Sequence, residues 1–451
     1  MQYVGIDANM NLSQYRRCFE EYRNVARVGH QFKSRRGLHV REIVARCYSG
    51  PLRETNVTIM RFFSIMLVAA VLVFAGPVSE WAGADEGEIT ADNWTDMVAF
   101  KPDLSVPGCE PGLVIDRRNL ARFEKLIPQG IQYLIKKYKM KLKVTEYQPV
   151  YPSEGYIKAT NQNRGKARII DLGNRYDERG IEGYVAGLPF PKPKTGLEVA
   201  WNFHYHYSAD DGEVTYAVYW VSASGGVEHN ELWKLSAIKS DHRTDIEPIP
   251  VVASLRDRGL QGAGLTFALA PYDKRGLGAV YFRHVEPRDG QGHVYVPSMR
   301  RVLKNSYGTR GDSWNSTDLF YEDVRGYSGY PEWMKWKLLG KKTLLLPVHS
   351  GVRLGPAGVK AAYDFDNWPH WNPRYRYEPR PVYLLEARPK LPDYPYSRQY
   401  LFIDAETFHV LYKAAYDKKG EIWKIMLNSG SWHRDKARGK DILGWSGTMV
   451  I

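Results

Sequence analysis

The chain has 451 residues and carries 63 Lys and Arg against 50 Asp and Glu, a formal charge of +13. A 43% hydrophobic share excludes wholesale disorder, and a mean hydropathy of −0.45 excludes a protein of many membrane spans. Three cysteines (Cys18, Cys47 and Cys109) exclude a disulfide framework, and no paired-cysteine motif offers zinc a site.

Residues 1–59 hold ten Lys and Arg and no periodic apolar pattern. They read as an unstructured upstream extension, with translation starting at Met60. Met60-Arg61 opens an apolar run, Phe62 to Val78, which ends at Ala82-Gly83-Ala84 before Asp85-Glu86. A charged start, a core shorter than the roughly 20 residues of a spanning helix, and a small-x-small site predict a signal peptide. It covers residues 60–84, is cut after Ala84, and directs the chain to the periplasm. A retained N-terminal anchor is the competing reading.

Residues 85–451 then form one large domain of net charge +8, suited to a solvated surface or to anionic head groups. No nucleic-acid motif accompanies the charge, and none is expected as a partner. Behind Asp116, a plausible N-cap, Leu120, Phe123, Leu126 and Ile127 recur at helical spacing. Pro128 interrupts them, and Ile131, Leu134, Ile135 and Tyr138 resume the pattern. Two short amphipathic helices within 116–140 are predicted. Further on, Trp201, Phe203 and Tyr205 alternate with Asn202, His204 and His206, which predicts a strand with its aromatics on one face.

Period-two alternation continues through Val214–Val221, Leu265–Leu269, Ala279–Val285, His293–Val296 and Val382–Ala387. Near the end Tyr400–Ile403, Phe408–Tyr412 and Glu421–Met426 are separated by turn residues, the signature of antiparallel hairpins. The stretch 363–381, with Trp368, Trp371, Tyr375, Tyr377 and four prolines, reads as a long structured loop. No βαβ spacing recurs, so a parallel sheet is disfavoured. The fold class is mainly antiparallel β with a few helices. A sheet this large curves strongly, and its concave apolar face must be covered by helices or by a ligand.

Catalytic signals are sparse. His204-x-His206 lacks a third ligand at recognisable spacing, and Gly326-Tyr327-Ser328-Gly329 lacks the last glycine of a nucleophile elbow. No phosphate-binding loop, dinucleotide fingerprint or HExxH occurs, so neither enzyme, cofactor nor metal is expected. Arg300-Arg301, flanked by strand residues, would send one guanidinium to each face, and one inside an apolar cleft would bind a carboxylate or phosphate.

Several blocks carry a resemblance. They are Tyr156-Ile157-Lys158-Ala159-Thr160, the run Gly183 to Pro193 with its Gly-Leu-Pro-Phe-Pro-Lys-Pro, Trp201-Asn202, and Tyr295-Val296-Pro297-Ser298-Met299-Arg300-Arg301-Val302. Trp336 to Lys342, Glu386-Ala387-Arg388-Pro389, Tyr396-Ser397-Arg398 and Ile403-Asp404 follow in order. In this order the chain resembles the exported bacterial proteins grouped as domain of unknown function 1329 (DUF1329), from about Ile89 to its end. That resemblance implies a fold similar to the lipoprotein carriers LolA and LolB, an incomplete, strongly curved barrel with helices plugging an apolar cavity. It also implies a periplasmic, non-enzymatic carrier of a lipid or other hydrophobic cargo, working with an RND-type exporter and the outer membrane. Leu303-Lys304 departs from the further arginines relatives tend to carry there. A glycan- or surface-associated binding protein using exposed aromatic loops is the alternative; no oligomeric state is read. Phe190, Trp201, Phe203 and Tyr295 are expected to line the concave face, with Arg300 or Arg301 meeting an anionic head group at its mouth.

Overall fold

The computed structural model describes residues 2–7, 87–103, 106–222, 226–307, 311–314, 317–352, 360–435 and 440–451. The expected signal peptide and its cleavage site lie outside these residues. So does the expected extension apart from Gln2–Asp7, which forms a strand, β1, where the sequence shows no pattern.

Helix α1 (Trp94–Val98) is followed by β2 (Val114–Ile115) and the helical region expected over 116–140. There the first half is two 3-10 turns, Leu120–Arg122 and Glu124–Leu126, and the second is α2 (Gln129–Tyr138). Pro128 marks the break, because it lacks the N–H that a continuous helix would need. Ile131, Leu134 and Ile135 on one face of α2 are fully buried, while Lys136 and Lys137 stay in solvent. Then come β3 (Leu142–Val144), α3 (Glu154–Asn163), the small hairpin β4 (Arg168–Ile169) and β5 (Ile181–Glu182), and α4 (Gly196–His204).

A meander follows: β6 (Asp211–Val221), β7 (Val227–Lys239), a short helix α5 (Ala253–Arg256), β8 (Leu260–Ala270), β9 (Gly278–His284), β10 (Gly290–Val296) and β11 (Arg301–Tyr307). After β12 (Met334–Leu346), the expected aromatic loop holds a two-residue hairpin, β13 (Tyr363–Asp364) and β14 (Asn372–Pro373). It ends early, since β15 (Arg376–Pro389) takes its last six residues into a strand. Trp371, Tyr375 and Tyr377 are buried, leaving Trp368 as the half-exposed aromatic of the segment. Strands β16 (Arg398–Asp404), β17 (Val410–Tyr416), β18 (Ile422–Asp435) and β19 (Lys440–Val450) complete the chain.

Fifteen of these strands make one curled, open sheet, with β11 and β2 at its ends and β12 pairing off the main path with β15. Among the described residues, every strand pairing is antiparallel except β3 on β15. Strand β1 joins the two halves, antiparallel to β6 on one side and to β19 on the other.

Period-two alternation in β15 and β16 sends Val382 and Phe402 one way, and Tyr383, Leu385, Leu401 and Ile403 the other. On the first face these residues meet α2; on the second they meet α1, α3 and α4. This half of the sheet is therefore sandwiched between helices. Ion pairs clamp it from within. Buried Arg380 donates to Asp404 at 2.8 and 3.2 Å and also to Glu406, while Lys413 pairs with Asp323. By contrast, β9 to β11 grow steadily more exposed toward the free edge.

Candidate functional site

Helix α4 corrects the strand expected at Trp201 and Phe203. Its first turn is a capping box: Thr195 Oγ1 accepts from Glu198 N at 3.2 Å, and Glu198 Oε2 accepts from Thr195 N at 3.1 Å. On a helix, residues two apart point roughly 200° from each other. Trp201 and Phe203 accordingly part company. Phe203 enters the large core between α4 and the sheet, whereas Trp201 packs with Ile181, Tyr205 and half-buried Phe190. Phe190 is fixed there by its backbone, whose N–H donates to Asn202 Oδ1 at 2.9 Å and whose carbonyl accepts from Asn202 Nδ2 at 2.6 Å.

The structure thus brings together two of the six expected residues, Phe190 and Trp201. Tyr295 sits half-buried on β10, opposite Val302. Arg300 and Arg301 do not alternate along one strand. A 3-10 turn, Pro297–Met299, ends at Arg300 in the left-handed region (φ 51°), and β11 starts afresh at Arg301. Both arginines are exposed at the turn of the β10–β11 hairpin, where Pro297 and the tight reversal break strand parity.

Beside Trp201 lies a cavity of about 280 Å³. Its walls come from the β4–β5 hairpin (Ile169 to Gly173, and Gly180), from Leu197 and Trp201 on α4, from Pro331 and Glu332, and from Met334 to Trp336 at the start of β12. Ile169, Leu172, Leu197, Met334 and Trp336 make it predominantly apolar, with Lys335 and Lys390 also on its lining. Gly180 permits the close approach: a Cβ there would stand 3.2 Å from Glu332 Cγ and 3.6 Å from Trp201 Cζ2. Lys390 donates to Arg175 O at 3.0 Å, tying the hairpin loop to the end of β15.

Two of the residues that line it each hold a buried polar atom without a hydrogen-bond partner, Trp201 Nε1 and Glu332 Oε2. The other carboxylate oxygen, Glu332 Oε1, accepts from Gly180 N at 3.0 Å. Burial raises the Glu332 pKa above the ordinary carboxylate value, and the nearby charges of Arg179 and Arg283 oppose that rise.

An aromatic stack separates this cavity from a second, more polar one. Trp201 stacks on Tyr205 at 5.6 Å and 15°, Tyr205 on Tyr184 at 4.1 Å, and Tyr184 meets His242 at 4.5 Å. The second cavity, about 420 Å³, is lined by Arg179, Asp241, His242 and Arg256 among others. Burial pushes His242 down to about 3, so the ring is neutral at physiological pH.

The His204-x-His206 pair does not converge on one point. His204 Nε2 lies 3.3 Å from Gln261 Nε2, while His206 Nδ1 contacts Phe203 O and its ring meets His409 edge-on at 4.4 Å. Burial is the first cause that holds both pKa values well below the ordinary histidine value. Sequence reading missed Glu332 and the β4–β5 hairpin. No local pattern marks Glu332, since the cavity is assembled from segments far apart in the chain. The Thr195-x-x-Glu198 capping box, in contrast, was a readable signal for α4.

The family model described as protein of unknown function DUF1329 matches residues 114–447. PA3922 of Pseudomonas aeruginosa, described as uncharacterized, is 25% identical over 351 residues, covering 72% of this chain and 71% of that protein. Among solved structures, a putative outer membrane lipoprotein-sorting protein domain from Vibrio parahaemolyticus aligns at 16% identity and a TM-score of 0.37. That alignment covers 56% of this chain and 88% of the other. A DUF1329 family protein from Desulfovibrio piger gives the same coverages and TM-score at 18% identity. A LolA superfamily protein from Nitrosomonas europaea aligns at 10% identity and a TM-score of 0.31, covering 57% and 92%.

Proposed function

Because the chain belongs to the DUF1329 family, we propose that it is a periplasmic carrier or binding protein for a hydrophobic molecule, held in the cavity beside Trp201. The observation that carries this reading is the cavity itself: a pre-formed, largely apolar space of about 280 Å³ under the β4–β5 hairpin. Ligand sites are concave, mostly apolar and furnished with few polar groups, and this one has that make-up. Its volume is close to twice the ~150 Å³ of a buried cavity that accepts benzene, which suits a short chain, a small ring system or one end of a longer lipid.

Export rests on the Met60–Ala84 segment and its small-x-small site. Transfer of cargo toward the outer membrane, in company with an RND-type exporter, belongs to the same proposal and rests on the family resemblance. The proposal assigns the protein a binding role and no catalytic step. The glycan-binding alternative is weaker, because the aromatic segment commits Trp371, Tyr375 and Tyr377 to the core.

Native mass spectrometry of protein purified gently from its own host tests the reading. The expected result is a retained hydrophobic molecule that disappears in Leu197→Trp, whose larger side chain fills the cavity, while the circular dichroism spectrum stays unchanged. Wild-type protein free of any hydrophobe, or equal retention by a folded Leu197→Trp variant, would overturn it.

A further inference from the structure

The cavity beside Trp201 carries more information than its apolar character. Trp201 is 2% exposed and Glu332 4%, so neither polar group is served by bulk solvent. An indole N–H can only donate, and an ionised carboxylate can only accept. Gly180 N occupies Oε1 of Glu332, leaving Oε2 as the oxygen without a donor. We infer that the cavity selects an apolar molecule bearing one uncharged hydroxyl, an alcohol or a phenol, over the matching acid, amine or hydrocarbon. This rests on the carrier reading above and specifies the chemistry of its ligand.

The selection follows from counting donors and acceptors. One hydroxyl accepts from Trp201 Nε1 and donates to Glu332 Oε2, so a single group meets both orphaned atoms. A hydrocarbon fills the space and leaves both unmet, which is costly in a buried site. A carboxylate ligand accepts from the indole but sets a second negative charge against Glu332. An ammonium satisfies Glu332 but offers nothing to the indole N–H, which can only donate.

Calorimetric titration of the full chain with 1-octanol, octane, octanoate and octylammonium tests the inference. Octanol is expected to bind about tenfold more tightly than the other three. Trp201→Phe removes the N–H while keeping a ring, and should cost octanol about fivefold and leave octane unchanged. Glu332→Gln supplies a second, independent reading. Gly180 N–H should hold the amide oxygen where Oε1 was, turning the NH2 toward the cavity, so the variant should prefer 2-octanone to octanol. If octanol and octane bind the wild type equally, or if both variants keep the wild-type preference, the hydroxyl selection is wrong and the carrier reading stands. If the folded wild type binds none of the four compounds, the carrier reading falls and takes this inference with it.

Discussion

His409 shows how strongly burial governs single residues in this fold. Its ring lies edge-on to His206 at 4.4 Å, the charge of Arg325 disfavours its protonation and that of Asp404 favours it. Burial is the main cause that pushes its pKa down to about 4, against an ordinary histidine value near 6.5. Between these two values the unfolded chain binds a proton that the folded chain refuses. Folding stability therefore rises with pH from about 4 to 6.5 and is lost as pH falls through that window. His409→Asn should weaken this dependence. The measurement is the urea unfolding free energy at pH 5 and pH 7, whose difference should be smaller in the variant than in the wild type. An equal difference would mean that His409 is not a group that acid attacks, and would leave His204, His206 and His242, also held low by burial, to account for it.

Among the elements, α4 matters most, since it presents Trp201 to the cavity and Phe203 to the core. Its start depends on the reciprocal Thr195–Glu198 bonds, and loss of such a cap costs roughly 1 kcal/mol. Thr195→Ala should accordingly lower the unfolding free energy by about that amount, measured by urea denaturation with an unchanged m-value. A loss indistinguishable from zero would show that packing alone holds the helix start. The same helix marks the boundary of what could be read in advance. The meander and the C-terminal hairpins were legible, because alternating residues bounded by turn signals leave a strand few alternatives. At residues 201–205 the aromatics alternate too, and period two alone predicts a strand where the Thr195–Glu198 capping box starts a helix. Trp201 was expected on the concave face by strand parity; the parity fails on a helix, and α4 sets Trp201 among Ile181, Tyr205 and Phe190 while Phe203 enters the core. Glu332 and Gly180 could not have been found, because their relation exists only after the β4–β5 hairpin folds across the start of β12.

For the molecule as a whole, the join between the two halves of the sheet is the decisive feature. Strand β1 fills it, with Gln2 opposite Trp220 of β6 and opposite Val450 of β19. Cleavage after Ala84, part of the proposed export, would carry β1 away with the leader. Strands β6 and β19 would then each present an open edge, separated by two strand spacings of about 4.8 Å. The segment around Trp314 resists closure of that gap. Trp314 lies 6.3 Å from both Tyr216 and Trp233 on the β6–β7 side, and also packs in the cluster of Leu319, Met426 and Val450 beside β18 and β19. A side chain wedged against both halves holds them at the width that β1 occupies. Hydrogen exchange on the full chain and on a chain starting at Asp85 tests this. Amides in Thr215–Trp220 and Gly447–Val450 should exchange faster in the shorter chain, and those shared between β16 and β17 should not change. Faster exchange confined to these two edges would identify them as the surface that export uncovers. Equal protection in the two chains would mean that β6 and β19 meet directly once β1 has gone, and that Trp314 yields to let them.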